Sequence, residues 1–272
     1  MKLRWLLVTL TMALATVALA DRRALLRAVK PAAAGGGAFT YYSAVFDGTS
    51  DYLTKTGDLT GIADGDKGLL SFWIKAQSDF DLYYILRANP SYLYIQRTAG
   101  DDISIVALNP SAATVLELTS SGSGLIFNDG AWHHILASWD LSQSAKSWIY
   151  IDGVDRTTRT THTVGGTINY AASLDWAIGA RPDDGTGKLN ALVCELYFTT
   201  EYLDLSSSGN RDKFFNSGTS KPVDLGATGS TPTGTQPLLY FRTQVPNWEV
   251  NVGSGGTFTE NGTLADGGSD KP

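Results

Sequence analysis

A chain of 272 residues has room for one large β domain or two small ones. Charged residues make up only 18% of it, too few for long solvated helices. The 21 Lys and Arg against 27 Asp and Glu give a net charge of −6, which makes nucleic acid a poor partner because phosphate binding needs a basic surface.

Taken from the N-terminus, Lys2 and Arg4 precede an apolar run at 5–20, and Ala18, Leu19 and Ala20 offer a small-x-small cleavage site. This is the layout of a secretory signal peptide, and the run is short for a membrane span. Arg22, Arg23, Arg27 and Lys30 follow at once and oppose translocation, so a hydrophobic arm is the alternative. Residues 21–29 suit a short helix capped by Asp21; Pro31 and the Ala/Gly run at 32–37 then break it as a linker. The domain layout is therefore 1–20 signal peptide or arm, 21–38 helix and linker, 39–205 folded domain, and 206–272 a C-terminal extension. The extension holds too few apolar residues for a core of its own and is expected to pack on the domain.

Past residue 38 the pattern is strand after strand. Candidates fall at 44–46, 52–54, 69–75, 83–87, 92–96, 103–108, 114–118, 132–139, 148–151, 176–180, 192–198 and 237–243, separated by Gly, Pro, Asn and Asp. A helical turn fits 210–215. Ile135, Ala137 and Trp139 share one strand face; Ile149 and Ile151 share another, with Trp148 and Tyr150 opposite them. Asp152-Gly153 is a type I′ turn pair. Strict alternation puts Leu192, Cys194, Leu196 and Phe198 on one face, with Val193, Glu195 and Tyr197 on the other. The single cysteine, Cys194, reads as a small buried hydrophobe. Many short strands and no helical period exclude a βαβ architecture and predict an all-β antiparallel sandwich.

The stretch 128–155, NDGAWHHILASWDLSQSAKSWIYIDGVD, resembles the central signature of laminin-G-like, concanavalin A-like jelly-roll domains. Three further pieces are similar in order and spacing: VFDGTSDYL at 45–53, GLLSFWIK at 68–75 and LNALVCELYFTTEYLDL at 189–205. The region after 210 also resembles proteins encoded in bacteriophages and prophages. The resemblance implies an antiparallel jelly-roll β-sandwich and a lectin-like binding module for glycans or a cell-surface polymer, secreted or extracellular in a bacterium. A structural virion protein, such as a decoration or tail-fibre module contacting other virion or surface proteins, is the alternative. A glycoside hydrolase is the third.

Enzymes of this fold would show a Glu-x-Asp-x-x-Glu strand, since retaining hydrolysis needs two carboxylates about 5 Å apart. The chain's five glutamates, Glu117, Glu195, Glu201, Glu249 and Glu260, do not supply it, and a non-enzymatic role is expected. His133 and His134 are adjacent, so on a strand they face opposite ways and cannot share a metal; His162 is remote. Calcium is the metal that the resemblance implies, with Asp47, Asp51 and Glu195 as candidate ligands because hard cations take several oxygens. Other acidic loops, at 64–66, 101–102 and 183–184, make turns as readily. For a glycan, the candidates are rings able to stack beside polar groups: Tyr92, Tyr94, Trp148, Tyr150 and Trp176, with Arg181 and Asp183 on a bordering loop.

Overall fold

The computed structural model describes residues 39–77, 82–121 and 129–272. The apolar run, the helix and the linker expected before residue 39 lie outside the described residues. In chain order the strands are β1 (Ser43–Asp47), β2 (Tyr52–Lys55), β3 (Lys67–Ala76), β4 (Tyr83–Asn89), β5 (Leu93–Arg97), β6 (Ile103–Leu108), β7 (Thr114–Ser120), β8 (His133–Asp140), β9 (Ser147–Ile151), β10 (Val154–Asp155), β11 (Thr157–His162), β12 (Asp175–Ile178) and β13 (Asn190–Thr199). After them come a single helical turn, α1 (Ser208–Arg211), then β14 (Phe215–Asn216), β15 (Lys221–Pro222), β16 (Leu239–Phe241), β17 (Thr259–Asn261) and β18 (Ala265–Asp266).

Two antiparallel sheets stack into a jelly-roll sandwich. The first, sheet A, runs β10-β9-β8-β3-β13-β1-β18, with β16 also paired to β13. The second, sheet B, runs β11-β7-β6-β5-β4-β12-β2-β17. The extension after residue 205 is not merely laid on the domain: β16 and β18 join sheet A and β17 closes an edge of sheet B. The strand at 157–162 was hidden in the sequence by its threonines, because an edge strand exposed on its outer side has no apolar rhythm.

Alternation fills the space between the sheets. Ile135, Ala137 and Trp139 of β8 and Ile149 and Ile151 of β9 enter the core, as expected. Opposite Trp139 in the ladder stands Gly68, where a Cβ would come within 2.2 Å of the indole ring. That indole donates a hydrogen bond to the Tyr170 hydroxyl (3.0 Å), which donates in turn to the Lys67 carbonyl (3.0 Å), so the core's polar atoms here are satisfied.

In β13 the expected alternation fails. Val193, Leu196 and Phe198 point into the core, while Cys194 and Tyr197 point outward. The register against β3 slips between Cys194 and Tyr197, and Glu195 takes φ = +51°. This is a β-bulge: one extra residue reverses the phase of all that follow. The bulge also divides the strand. Residues Asn190 to Cys194 pair with β1, and Leu196 to Phe198 pair with β16. Glu195 lies between the two ladders, fully enclosed. Its Oε2 accepts a 2.5 Å hydrogen bond from the Tyr240 hydroxyl, the Arg242 Nε is 4.0 Å from its Oε1, and among the described residues Oε1 has no hydrogen bond. Burial pushes the Glu195 carboxyl up to about 7, against the lowering effects of Arg242 and Tyr240.

The outer face of sheet A is covered. Leu205, Phe214 and Leu225 pack over Leu69, Leu136, Trp148, Tyr150, Tyr197 and Tyr240. Tyr202 stacks on Trp148 (6.1 Å between centroids), the Arg211 guanidinium sits 4.6 Å from the Tyr150 ring, and Phe215 stacks on Trp73 and His134. The tail crosses the same face: Asp270 takes the Lys75 ammonium (2.8 Å) and the Trp132 indole N–H (2.9 Å), and its carbonyl accepts the Ser43 hydroxyl.

Two outcomes follow from this packing. Replacing Gly68 with Ala should cost about 1–3 kcal/mol, the range for overpacking a full core, measured as a lowered urea midpoint with unchanged slope. For Glu195, a carboxyl whose folded pKa lies above its unfolded value of about 4.3 favours folding in its protonated form. That contribution is complete below about pH 4 and lost as pH rises to about 7. The stability of the wild type minus that of Glu195→Gln should therefore fall across that window; a flat difference in urea midpoints from pH 4 to 8 would contradict the buried-carboxyl assignment.

Candidate functional site

Sheet A is clothed on both faces; on the outer face of sheet B, Tyr84, Arg87, Ser104, Val106 and Ala177 are themselves buried, and solvent is met at the side chains around them. Register lines up one row across it: Thr54, Ala177, Arg87, Tyr94, Val106, Glu117 and Thr161. A second row holds Tyr84, Gln96, Ser104, Thr119 and Thr158. Directly opposed residues share a face, and their neighbours Leu93, Ile95, Ile103, Ile105, Leu116 and Leu118 all point to the core. Tyr94, Gln96, Glu117 and Thr119 are half-buried.

Tyr84 and Arg87 reach the same face only because β4 carries a bulge between Tyr84 and Leu86; a spacing of three would otherwise set them on opposite faces. Tyr84 and Tyr94 meet edge to face at 6.4 Å. The Arg87 guanidinium lies 4.4 Å from the Tyr84 ring centre and 5.9 Å from that of Tyr94, and its Nη2 donates to the Ser91 hydroxyl at 2.6 Å. Burial raises the Tyr94 phenol above its ordinary value, and the Glu117 charge adds to this. The loop from Arg181 to Lys188 borders the Tyr84 end. Tyr84 N–H donates to the Gly187 carbonyl (3.1 Å), and a Cβ on Gly187 would strike the Tyr84 ring at 2.8 Å. Within the loop Arg181 pairs with Asp183 (3.3 Å) and Asp184 (3.7 Å), and the Thr186 N–H and hydroxyl hold Asp184 below the usual carboxylate range.

The expected ring set is thus scattered. Tyr94 stands on the open face, and Arg181 and Asp183 are on the bordering loop. Tyr92 precedes β5 instead of sharing its face with Tyr94, and packs against the core. Trp176 is wholly buried, 5.9 Å from Phe198, so no ligand can stack on it. Trp148 and Tyr150 do alternate outward, but under the covering segment of sheet A they are 7% exposed each. Arg87, Tyr84, Gln96 and Glu117 belong to the face and were missed; the aromatic-then-basic pair in β4 was the available signal, masked by the bulge.

The expected calcium ligands do not converge. Asp47 lies opposite Asn190 in the β1–β13 ladder, and Ser43 lies opposite Cys194, so Glu195 is five residues along the strand from Asp47, about 17 Å away. The Asp47 carboxylate is used by its own turn. It accepts the N–H groups of Thr49, Ser50 and Asp51 and the hydroxyls of Thr49 and Ser50. Burial raises it, but these bonds together outweigh that and hold it far below the ordinary carboxylate range. Asp51 accepts the Thr263 N–H (2.9 Å), tying the turn to the stretch between β17 and β18. Asp64 accepts Tyr170 and Ala171 N–H groups, and Asp101 pairs with Arg97. Among the described residues no three His, Cys, Asp or Glu side chains come together as a metal-binding group.

The histidines are separated too. His134 is buried, and burial pulls it down to about 3; it bonds the Ser71 hydroxyl at 2.9 Å. His133 lies between Asp152 (2.7 Å) and Asp129 (3.2 Å). Burial would lower it, but the bonds and charges of the two aspartates raise it on balance.

Residues 47–205 match the profile of the family described as the concanavalin A-like lectin/glucanases superfamily, a laminin-G-type profile. No curated protein sequence matches the chain. Among solved structures, a heptameric SAP-like pentraxin from Limulus polyphemus superimposes with a TM-score of 0.52 at 13% identity, covering 84% of this chain and 94% of the pentraxin. A candidate carbohydrate-binding protein from Bacteroides ovatus gives 0.56 at 10% identity, covering 84% of this chain and 60% of that one. At such identities these two likenesses concern the fold alone. The profile match spans more than half of the sequence, and the chain belongs to the concanavalin A-like lectin/glucanase superfamily.

Proposed function

We propose that this protein is a non-enzymatic binding module whose sheet B outer face takes a glycan or a related surface polymer. The observation that carries this reading is the ladder of half-buried Tyr94, Gln96, Glu117 and Thr119 on a face that the C-terminal segments leave uncovered. Glycan recognition needs an apolar ring for the sugar's C–H face and polar groups for its hydroxyls, and the two rows set these side by side at the strand spacing of about 4.8 Å. The Bacteroides ovatus structure of the same fold, named for carbohydrate binding, supports the same class. Within the two rows Glu117 is the one carboxylate, whereas hydrolysis would call for a facing pair.

Titration calorimetry against a panel of neutral and acidic oligosaccharides tests this. Tyr94→Ala should weaken binding about tenfold, or about 1.4 kcal/mol, with its unfolding midpoint little changed. Trp148→Ala should do the reverse, destabilising the fold by about 3–5 kcal/mol while the fraction still folded binds as before. An unchanged affinity in folded Tyr94→Ala, or no binding to any glycan, would dismiss the assignment.

A further inference from the structure

Arg87 sits at the centre of the sheet B face in an unusual state. It is 5% exposed, and of its donors only the Nη2 group that meets Ser91 has a hydrogen-bond partner among the described residues. Its Nε is shut away from solvent with none. Among the described residues no carboxylate forms an ion pair with it. The other nearly enclosed guanidinium of this sheet, Arg97, has Asp101. What faces Arg87 instead is aromatic: the Tyr84 and Tyr94 rings at 4.4 and 5.9 Å. A desolvated cation–π contact is worth about 2 kcal/mol, less than the several kcal/mol that enclosing an ion costs. Among the described residues the face therefore holds a guanidinium with no paired carboxylate, offset only by the longer-range charge of Asp184.

The charged groups around it do not fill that role. Glu117 is three strands away in the same row, about 14 Å at the strand spacing, beyond a Debye length of about 8 Å at physiological ionic strength. Asp184 on the bordering loop feels the Arg87 charge, which helps to lower its carboxyl, but its hydrogen bonds go to Thr186 and its ion pair to Arg181, and Asp183 pairs with Arg181. Lys188 is turned toward Tyr52, 5.6 Å from that ring.

Resting on the glycan-binding reading of this face, we infer that the ligand is an acidic glycan, with a sugar carboxylate or sulfate group paired to Arg87 and the ring of the same or the next sugar stacked on Tyr94. The planar fork of a guanidinium suits either anion. The polarity of the row sets the direction: the anionic substituent lies at the Arg87 end, and hydroxyls lie toward the Gln96 amide, which accepts and donates hydrogen bonds, and the Glu117 carboxylate, which accepts them and repels a second negative group. A chain with a net charge of −6 then owes this selectivity to one local cation rather than to long-range attraction.

The test is calorimetry of the whole folded chain with three probes of equal length: an oligouronate, a sulfated oligosaccharide on a neutral backbone, and a neutral oligosaccharide. One anionic probe should bind at least tenfold more tightly than the neutral one, and which of the two does so identifies the anion. The preference should shrink with added salt. Arg87→Lys, which loses the planar fork, should erase about tenfold of the ratio between acidic and neutral affinities, with near-ultraviolet circular dichroism reporting an intact fold. If that variant does not fold, the wild-type preference alone decides. Equal affinity for all three probes, tighter binding of the neutral one, or a preference untouched in folded Arg87→Lys would overturn the inference. Neutral binding that Tyr94→Ala abolishes, without any acidic preference, would overturn it and leave the glycan-binding reading standing. No binding to any probe would overturn both.

Discussion

β13 is ten residues long and borders β3 along one side. On the other side it must serve two separate partners, β1 and β16. A regular strand cannot change partners in mid-run without leaving polar atoms unpaired, and the bulge at Glu195 supplies the break. The left-handed backbone there costs about 1–3 kcal/mol. Two ladders and the Tyr240–Glu195 contact offset it, because the extra residue directs Val193, Leu196 and Phe198 together into the core. Without the phase change, the far half of β13 would turn Leu196 and Phe198 outward and Tyr197 inward.

The same strand decides which face of the molecule stays open. By admitting β16, it brings Tyr240 onto the outer surface of sheet A, where Leu205, Phe214 and Leu225 complete an apolar layer. Trp148 and Tyr150 are consumed by that layer. Sheet B receives only β17 from the C-terminal region, at its edge, so Tyr94, Gln96 and Glu117 stay uncovered. The division of labour between the sheets thus comes from where the last quarter of the chain is spent.

Much of this was legible in the sequence. The apolar rhythm of 132–139 and 148–151 gave the correct inward faces, and Asp152 and Gly153 take the positive φ values that their turn requires (51° and 76°). The fold class followed from the same rhythm. What was not legible shares one physical cause: period-two reasoning assumes an unbroken ladder. Cys194 is buried as expected, but the bulge in β13 parts it from Leu196 and Phe198, which alternation had set on its face, and the bulge in β4 concealed that Tyr84 and Arg87 share a face. Alternation also says that a ring leaves the core without saying whether another segment covers it. That is why Trp148 was correctly oriented yet assigned the wrong surroundings, and why Trp176, at 0% exposure, looked like a loop-side ring. Asp47 was correctly seen beside a tight turn, but the turn takes up its oxygens.

The stitching of the two ends of the domain has a kinetic consequence. β1 is held by residues about 150 and 220 positions later in the chain, and Ser43 and Tyr41 bond Asp270 and Pro272 directly. Contacts so distant in sequence make folding slow, because loop closure must be met before the pairing that repays it. During synthesis β1 emerges early and waits through most of translation for β13 and β18. Its exposed edge, carrying Val45 and Phe46, is in that interval open to pairing with another chain. The nascent protein, rather than the finished one, is the form most dependent on protection from aggregation.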